Sequence, residues 1–534
     1  MKITDLRCAL IGQNPVVRIT TDEGIDGLGQ AENAKPYLKP HVLFYKQHLL
    51  GADPTTVERT MLRIRRLGAF KPWGSAVSAI EMALWDIAGK AAGLPVHKLL
   101  GGKVRDQVRI YDGGVRFPMT GVSPDDYAAD IAKIKAAKEG FTIIKESIGF
   151  HSAMPKDLPY FSYGEYQSGP AHPNRAPLTE RGLKHVVACI EAMKAVVSDE
   201  IGLALDCGPG WMLPDAIRLA KAVEPLNVMW LEDLITGDYS PYNLADVYRD
   251  LTQATSTPIH TGEQVYLRHN FKELIERQAV RIIGPDPEDV GGMAELKWVA
   301  EYADLHGILM APHGIFDGLI GLAGLVQVCA TLPYNYIAFE YPVGKPDWWY
   351  DIIKGLPNPI VKNGLIQVWD APGLGVEFDV DKAQQYLAEE DKDFFDLLPR
   401  AVLDNFVHHL RPQRDAQAGT IGHLQAAVLH RDALFTHLLV QELSPAGNAA
   451  LRHDEVAHHR AVVPGGHQLH IAAGHVRGDG YVEELRQVRD LAPAGEPADE
   501  GQVRVDGIDR AILHKLQELG GVFQFLAGHH AHRR

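Results

Sequence analysis

Residues 2–33 alternate polar and apolar side chains and are broken at Gly24, Gly27 and Gly29, which predicts a small antiparallel meander. Helical spacing follows. In Ser78-Ala-Ile-Glu-Met-Ala-Leu-Trp-Asp-Ile-Ala-Gly-Lys-Ala-Ala-Gly93, the residues Ile80, Leu84 and Ile87 fall on one face, Ser78 is an N-cap candidate, and Gly93 ahead of Pro95 closes the helix. This is an α+β module of about a hundred residues. From Val108 onward strand and helix patterns alternate. Apolar strand candidates lie at 108–111, 142–147, 202–206, 228–232, 258–263, 280–286, 308–313 and 336–340, with helical periods such as 215–222 and 293–305 between them. Eight such strands predict an α/β fold, a (β/α)₈ or closely related barrel.

Two stretches depart from this pattern. Residues 151–177 set Tyr160, Phe161, Tyr163 and Tyr166 among Pro155, Pro159, Pro170, Pro173 and Pro177. Placed after a strand end, this insertion either covers the barrel mouth or forms a surface or subunit-contact loop. Beyond residue 400 the chain holds 15 of its 25 histidines and a single lysine, Lys515, without sustained heptad or strand alternation. His408-His409, His458-His459 and His529-His530 invite a metal-binding reading. Their irregular spacing fits better with a non-native or disordered extension, with a genuine accessory domain as the alternative.

With 534 residues, 46% of them apolar and 23% charged, the chain has a soluble globular composition with room for two or three domains. A net charge of −15 offers polyanions no attractive field, so neither nucleic acid nor anionic membrane is an expected partner, and an anionic substrate needs a local cation. Cys8, Cys189, Cys207 and Cys329 follow no metal or disulfide spacing, which predicts reduced, mostly buried thiols in a cytoplasm. The opening Met-Lys-Ile-Thr-Asp-Leu-Arg has no apolar signal core, and no apolar run reaches the ~18 residues of a membrane span.

The chemistry concentrates at strand ends. Ile201-Gly-Leu-Ala-Leu-Asp206, Val228-Met-Trp-Leu-Glu232 and Thr257-Pro-Ile-His-Thr-Gly-Glu263 each finish on a carboxylate, at spacings of 26 and 31 residues. Each spacing is one strand, one helix and two loops, so the three carboxylates converge on one rim of a parallel barrel. Crowded acids repel unless a cation sits among them, and an all-oxygen set suits Mg²⁺. The seventh strand candidate ends on His313 and the sixth on Asp286, close enough for Asp286 to orient the imidazole as a general base. Lys145, at the second strand end, is either an acid or base with a shifted pKa or a clamp on the substrate carboxylate. Glu340, at the last, is either a protonated donor to a developing enolate oxygen or a structural hydrogen-bonding group.

At these residues the chain resembles the enolase superfamily, mandelate racemase-like subgroup, over about residues 1–385. The elements that carry the resemblance are Ile80-Glu-Met-Ala-Leu-Trp-Asp-Ile-Ala-Gly-Lys90, Leu99-Leu-Gly-Gly102, the Asp206, Glu232 and Glu263 set, Pro285-Asp286 with Gly291-Gly292, His313 and Glu340. The resemblance implies an α+β capping domain, residues 1–105 with about 360–395, on a modified TIM barrel, (β/α)₇β, at 106–359, leaving 400–534 as an atypical extension. It also implies Mg²⁺ on a small-molecule carboxylate substrate, abstraction of its α-proton, and a homo-oligomer. Racemases of the subgroup resemble Lys-x-Lys at the second strand, whereas this chain has Lys145-Glu146-Ser147, and cycloisomerase relatives have a lysine where Asp286 stands. What remains is similar to acid-sugar dehydratases, which convert an aldonate or aldarate to a 2-keto-3-deoxy acid. The alternatives are a racemase or epimerase, and an inactive scaffold with a metal- or partner-binding tail. Arg66, Lys71 and Trp73 of the capping domain, and Ser147, are the candidate substrate contacts, with loops near 12–15, 24–29 and 66–73 placed to close over the substrate.

Overall fold

The computed structural model describes residues 1–396, apart from 33–34, 66, 68–72, 114–118, 150–151, 164–176, 209, 236–243, 315–317 and 342–346, together with strands at 458–463 and 467–472. The chain divides into two units, Met1–Leu403 and Asp404–Arg534.

Polar–apolar alternation builds the first sheet. Strands β1 (Ile3–Ile11), β2 (Asn14–Thr21) and β3 (Asp26–Gln30) form an antiparallel meander. One face packs on the helix Trp73–Ala92, whose Ala76, Val77, Ile80, Leu84 and Ile87 are buried in the same core. Strand β3 runs against the helix backbone: a Cβ at Gly27 or Gly29 would lie 2.0 Å from the Ala83 carbonyl oxygen or 1.9 Å from that of Ala79. These two glycines therefore belong to a packed strand and do not hinge a loop over the barrel mouth. The Gly12 turn is likewise committed elsewhere, since its N–H donates to the Tyr386 carbonyl at 2.8 Å and a Cβ there would meet the Trp348 ring at 2.8 Å. Ser78 does not cap the long helix, which begins at Trp73. Its hydroxyl donates one turn back to the Gly74 carbonyl at 2.8 Å and accepts from Gly291 N–H at 3.0 Å. Gly93, at φ +65°, ends the helix where the sequence suggests.

The barrel strands are β4 (Gln107–Asp112), β5 (Ile143–Ser147), β6 (Gly202–Asp206), β7 (Trp230–Glu232), β8 (Ile259–Thr261), β9 (Ile282–Ile283), β10 (Leu309–Met310) and β11 (Phe339–Tyr341). They pair in parallel in the order β10-β9-β8-β7-β6-β5-β4-β11, and a parallel bridge between Met310 and Tyr336 closes the ring. Each connection carries a helix: Pro124–Lys135, Glu180–Val197, Leu213–Ala222, Ala245–Ala254, Arg268–Glu276, Met293–Leu305 and Leu319–Cys329. The arrangement is (β/α)₇β. The first of these helices starts on a capping box, with Ser123 Oγ accepting from Asp126 N–H at 3.3 Å and the Asp126 carboxylate from Ser123 N–H at 2.9 Å. After β11 the chain adds the strand Leu365–Gln367 antiparallel to β4 and returns to the capping sheet, where Ala388 N–H donates to the Leu10 carbonyl at 3.0 Å and Arg18 to that of Phe394 at 2.9 Å.

The four cysteines are buried and form no disulfide. No helix among the described residues is long and apolar enough to cross a membrane. Residues 151 and 164–176 of the aromatic insertion lie outside the described residues; its first part carries the short helix Met154–Asp157, and Ser162 bridges Leu178. In the second unit His458–Val463 pairs antiparallel with His467–Ala472, a hairpin the sequence reading did not anticipate. In sequence the strands carry β-branched Val462, Val463 and Ile471, and Pro-Gly-Gly between them is a turn signal. The pairs His408-His409 and His529-His530 lie outside the described residues.

Candidate active site

Side chains two residues apart on a barrel strand stack on the same interior face. Tyr111, Ile143, Ala204, Trp230, Ile282, Ala311 and Ala338 form one interior layer, buried and apolar. Two residues further along their strands stand Lys145, Asp206, Glu232, His313 and Glu340. The charged layer is thus one pleat above an apolar floor. Two on from Tyr111 and Ile282 are Gly113 and Gly284, where a Cβ would lie 1.6 Å from Glu340 Oε1 and 2.3 Å from His260 Nε2. Glycine at both positions leaves room for the functional side chains.

Within this layer His313 Nδ1–H donates to Asp286 Oδ2 at 2.6 Å. That bond fixes the tautomer and presents Nε2, 3.4 Å from Glu263 Oε2 and 3.5 Å from Glu340 Oε2, to the barrel centre. Lys145 Nζ donates to Glu232 Oε1 at 2.5 Å and to Glu340 Oε2 at 3.0 Å. Tyr111, on β4, donates its hydroxyl to the same Glu340 oxygen at 3.3 Å and lays its ring 5.6 Å beneath the Lys145 ammonium. Trp230 Nε1–H donates to Glu232 Oε2 at 2.9 Å, and His260 Nδ1 is 3.3 Å from that oxygen.

Burial works against a charged Lys145, but Glu232, Glu340, Asp206 and Glu263 outweigh it and hold the ammonium well above the ordinary lysine range. Burial similarly opposes a charged His313, and Glu263, Glu340 and Asp286 overcome it, raising the imidazole well above its usual value. Burial raises Glu232, yet Lys145 and His260 beside it bring the carboxyl well below the usual range. Glu340 Oε2 accepts from both Lys145 and Tyr111.

Two family descriptions match the chain: the mandelate racemase/muconate lactonizing enzyme N-terminal domain over residues 12–101, and the enolase C-terminal domain-like region over 126–383. A D-xylonate dehydratase of Haloferax volcanii is 32% identical over 74% of this chain and 90% of its own length. A D-mannonate dehydratase of a Caulobacter species is 30% identical over 72% of this chain and 95% of its own. A mandelate racemase/muconate lactonizing enzyme-like crystal structure from Rubrobacter xylanophilus superposes with a TM-score of 0.62 at 30% identity, covering 73% of this chain and 98% of that one. The chain belongs to the mandelate racemase/muconate lactonizing enzyme family.

In this family member Asp206 and Glu232 are register partners on β6 and β7, and Glu263 lies just past the end of β8. Among the described residues no three His, Cys, Asp or Glu side chains converge on metal-coordinating geometry, and Glu232 is paired with Lys145. The chemistry of the donors fits a hard divalent cation nonetheless: three carboxylates on neighbouring strand ends, with Glu340 adding to the negative charge around one lysine.

The structure thus gathers Lys145, Glu232, Glu340, Glu263, His313 and Asp286 through direct contacts and places Asp206 beside Glu232. Ser147 stands partly exposed two residues above Lys145, in register with Asp206. Arg66, Lys71 and the side chain of Trp73 lie outside the described residues. Sequence reasoning missed Tyr111, Trp230 and His260. Period-two counting back from Glu232 finds Trp230, whereas Tyr111 and His260 require the strand register, which pairs Glu340 with Tyr111 and Glu232 with His260.

Proposed function

We propose that this family member is a Mg²⁺-dependent hydro-lyase that dehydrates an acid sugar, an aldonate or aldarate, to a 2-keto-3-deoxy acid. The observation that carries the reading is an imidazole oriented by Asp286 facing a lysine across one carboxylate oxygen, Glu340 Oε2, at 3.5 and 3.0 Å. Relatives with dehydratase names support the reaction class. Asp206, Glu232 and Glu263 would hold Mg²⁺, which when bound neutralises the substrate carboxylate as its α-carbon loses a proton. A cation on Glu263 would offset the largest charge that raises His313; the neutral ring then takes that proton at Nε2, and Asp286 balances the imidazolium. The ring then returns it to the β-hydroxyl, which departs as water, and the resulting enol tautomerises to the 2-keto acid. Lys145, kept as an ammonium, holds negative charge on the substrate, and Ser147 reaches it from the rim. The capping part comprises 1–105 with about 360–395, and the enzyme works as a cytoplasmic homo-oligomer.

The test is a screen of the full-length protein with Mg²⁺ against aldonates and aldarates, D-xylonate and D-mannonate included, detecting 2-keto-3-deoxy acids. At least one product is expected, and His313→Asn abolishes it. Silence across the panel with α-proton exchange into deuterated water would move the assignment to a racemase or epimerase; silence in both would sink the catalytic reading.

A further inference from the structure

The barrel alone does not hold the proton-transfer pair. Asp286 opens the loop that runs from β9 to the helix Met293–Leu305, and it folds that loop on itself: its Oδ1 accepts from Glu288 N–H at 2.7 Å, and its carbonyl accepts from Asp289 and Val290 N–H at 3.0 and 2.8 Å. The far end of the loop is gripped by the capping module. Met293 and Ala294 N–H donate to Glu81 Oε2 and Oε1 at 2.8 and 2.9 Å, and Gly291 N–H to Ser78 Oγ at 3.0 Å.

A helix begins with N–H groups that have no partner within it, and the N-cap side chain ordinarily accepts from one of them. Here the N-cap is Gly292, which has no side chain. Its φ is +115°, and a Cβ would lie 2.3 Å from the Glu81 carboxyl carbon. A carboxylate from another element therefore performs the capping, and only glycine at 292 admits it. Arg65 braces the junction: its Nε donates to the Gly291 carbonyl at 3.3 Å, and its guanidinium lies 2.9, 3.2 and 3.7 Å from Glu58, Glu295 and Glu81. The Arg65 carbonyl accepts from the Tyr266 hydroxyl at 3.0 Å, in the loop that follows Glu263. Ser78 and Glu81 are fully buried. Burial pushes the Glu81 carboxyl up to about 7 against the pull of Arg65, Ala294 N–H, Trp85 and Met293 N–H. Such a desolvated group is costly to place unless its donors stay where they are.

We propose that Glu81, with Ser78 and Arg65, is a positioning site through which the capping helix sets the place of Asp286 and so of the His313 imidazole. The inference rests on the proposed role of His313 and Asp286 in proton transfer. It goes beyond that role in making the capping helix part of the catalytic geometry.

The test uses the full chain carrying Glu81→Gln. The glutamine amide keeps one acceptor oxygen and turns an NH₂ toward a backbone N–H, so one of the two caps is lost. A displacement of 1 Å in catalytic geometry can cost about 100-fold; a loosened loop is expected to lower kcat about tenfold or more, with KM within about twofold. Amide exchange over 287–296 should rise while that over 202–206 and 228–232 does not. Ser78→Ala, which removes only the Gly291 acceptor, should give a smaller change in the same direction and serves if Glu81→Gln does not fold. Faster exchange with unchanged kcat would reduce the site to a structural cap. A raised KM with unchanged kcat, or unchanged exchange in both variants, would also overturn the proposal. Should the wild-type chain form no keto acid, the dehydratase reading fails by itself, and loop exchange with α-proton exchange still judges the positioning role.

Discussion

Asp286→Asn is the most direct probe of the proton-transfer pair. The substitution is nearly isosteric, and the amide oxygen can still accept from His313 Nδ1–H, so the 2.6 Å contact survives in kind. What disappears is the negative charge that balances the ring when Nε2 gains a proton. Two unit charges about 4 Å apart at an effective dielectric near 20 interact by about 4 kcal/mol. Hydrogen bonds to charged groups are worth about 1.5–3 kcal/mol by mutation. A loss of about 2–4 kcal/mol in the transition state, at about 1.36 kcal/mol per decade, corresponds to a fall in kcat of about 30- to 900-fold. The assay is turnover of whichever acid sugar the screen identifies, together with α-proton exchange into deuterated water, at matched folded fractions. Both rates should drop while KM stays near wild type. A kcat within about threefold of wild type would refute the view that Asp286 carries charge for the imidazole, leaving it an orienting group alone.

Adding Mg²⁺ to chelator-stripped protein should raise the unfolding temperature, because a ligand at a hundred times its Kd stabilises by about 2.7 kcal/mol. Asp206→Asn should remove most of that shift, and an undiminished shift would contradict the ligand assignment. Gly29→Ala puts a methyl group 1.9 Å from the Ala79 carbonyl and should destabilise the protein by at least about 1–3 kcal/mol in urea unfolding. Gly24→Ala, where nothing lies within 4 Å, bears only a backbone cost of about 1 kcal/mol, and equal losses would refute the packing argument. A chain ending at Leu403 retains every candidate catalytic residue and should turn over within about twofold of the full chain. Loss of activity in that truncation would give the second unit a role in catalysis.

The barrel and its charged rim were legible because both follow from short-range rules. Apolar runs ending in Asp206, Glu232 and Glu263 place each carboxylate on its own strand end, and strand–helix spacing brings those ends to one rim. The pairing of His313 with Asp286 followed from the adjacency of consecutive strands. Tyr111 and His260 were not legible, because their part in the site depends on which residue of the next strand lies alongside. Ser78 was misplaced as a helix cap because a serine before an apolar run looks the same whether its hydroxyl faces its own helix start or a glycine more than two hundred residues away. Gly27 and Gly29 looked like loop breakers for a similar reason: a glycine excluded by another backbone and one required by a turn are identical in sequence. The site's acidic excess was readable, but the way Lys145 resolves it, by bonding Glu232 and Glu340 together, is a property of packing.

The apolar floor at Tyr111, Ile143, Ala204, Trp230, Ile282, Ala311 and Ala338 and the polar ring above it answer to different kinds of selection. Substitutions at the aliphatic floor positions change how the strands pack, Tyr111 and Trp230 also donate to Glu340 and Glu232, and substitutions one or two pleats higher change which protons can move. Ser147 sits on the open side of Lys145 on the same strand, so a single replacement there brings a new functional group to the mouth and leaves the floor as it was. At this partly exposed rim position the chemistry can change while the buried ion pairs of Lys145 stay in place.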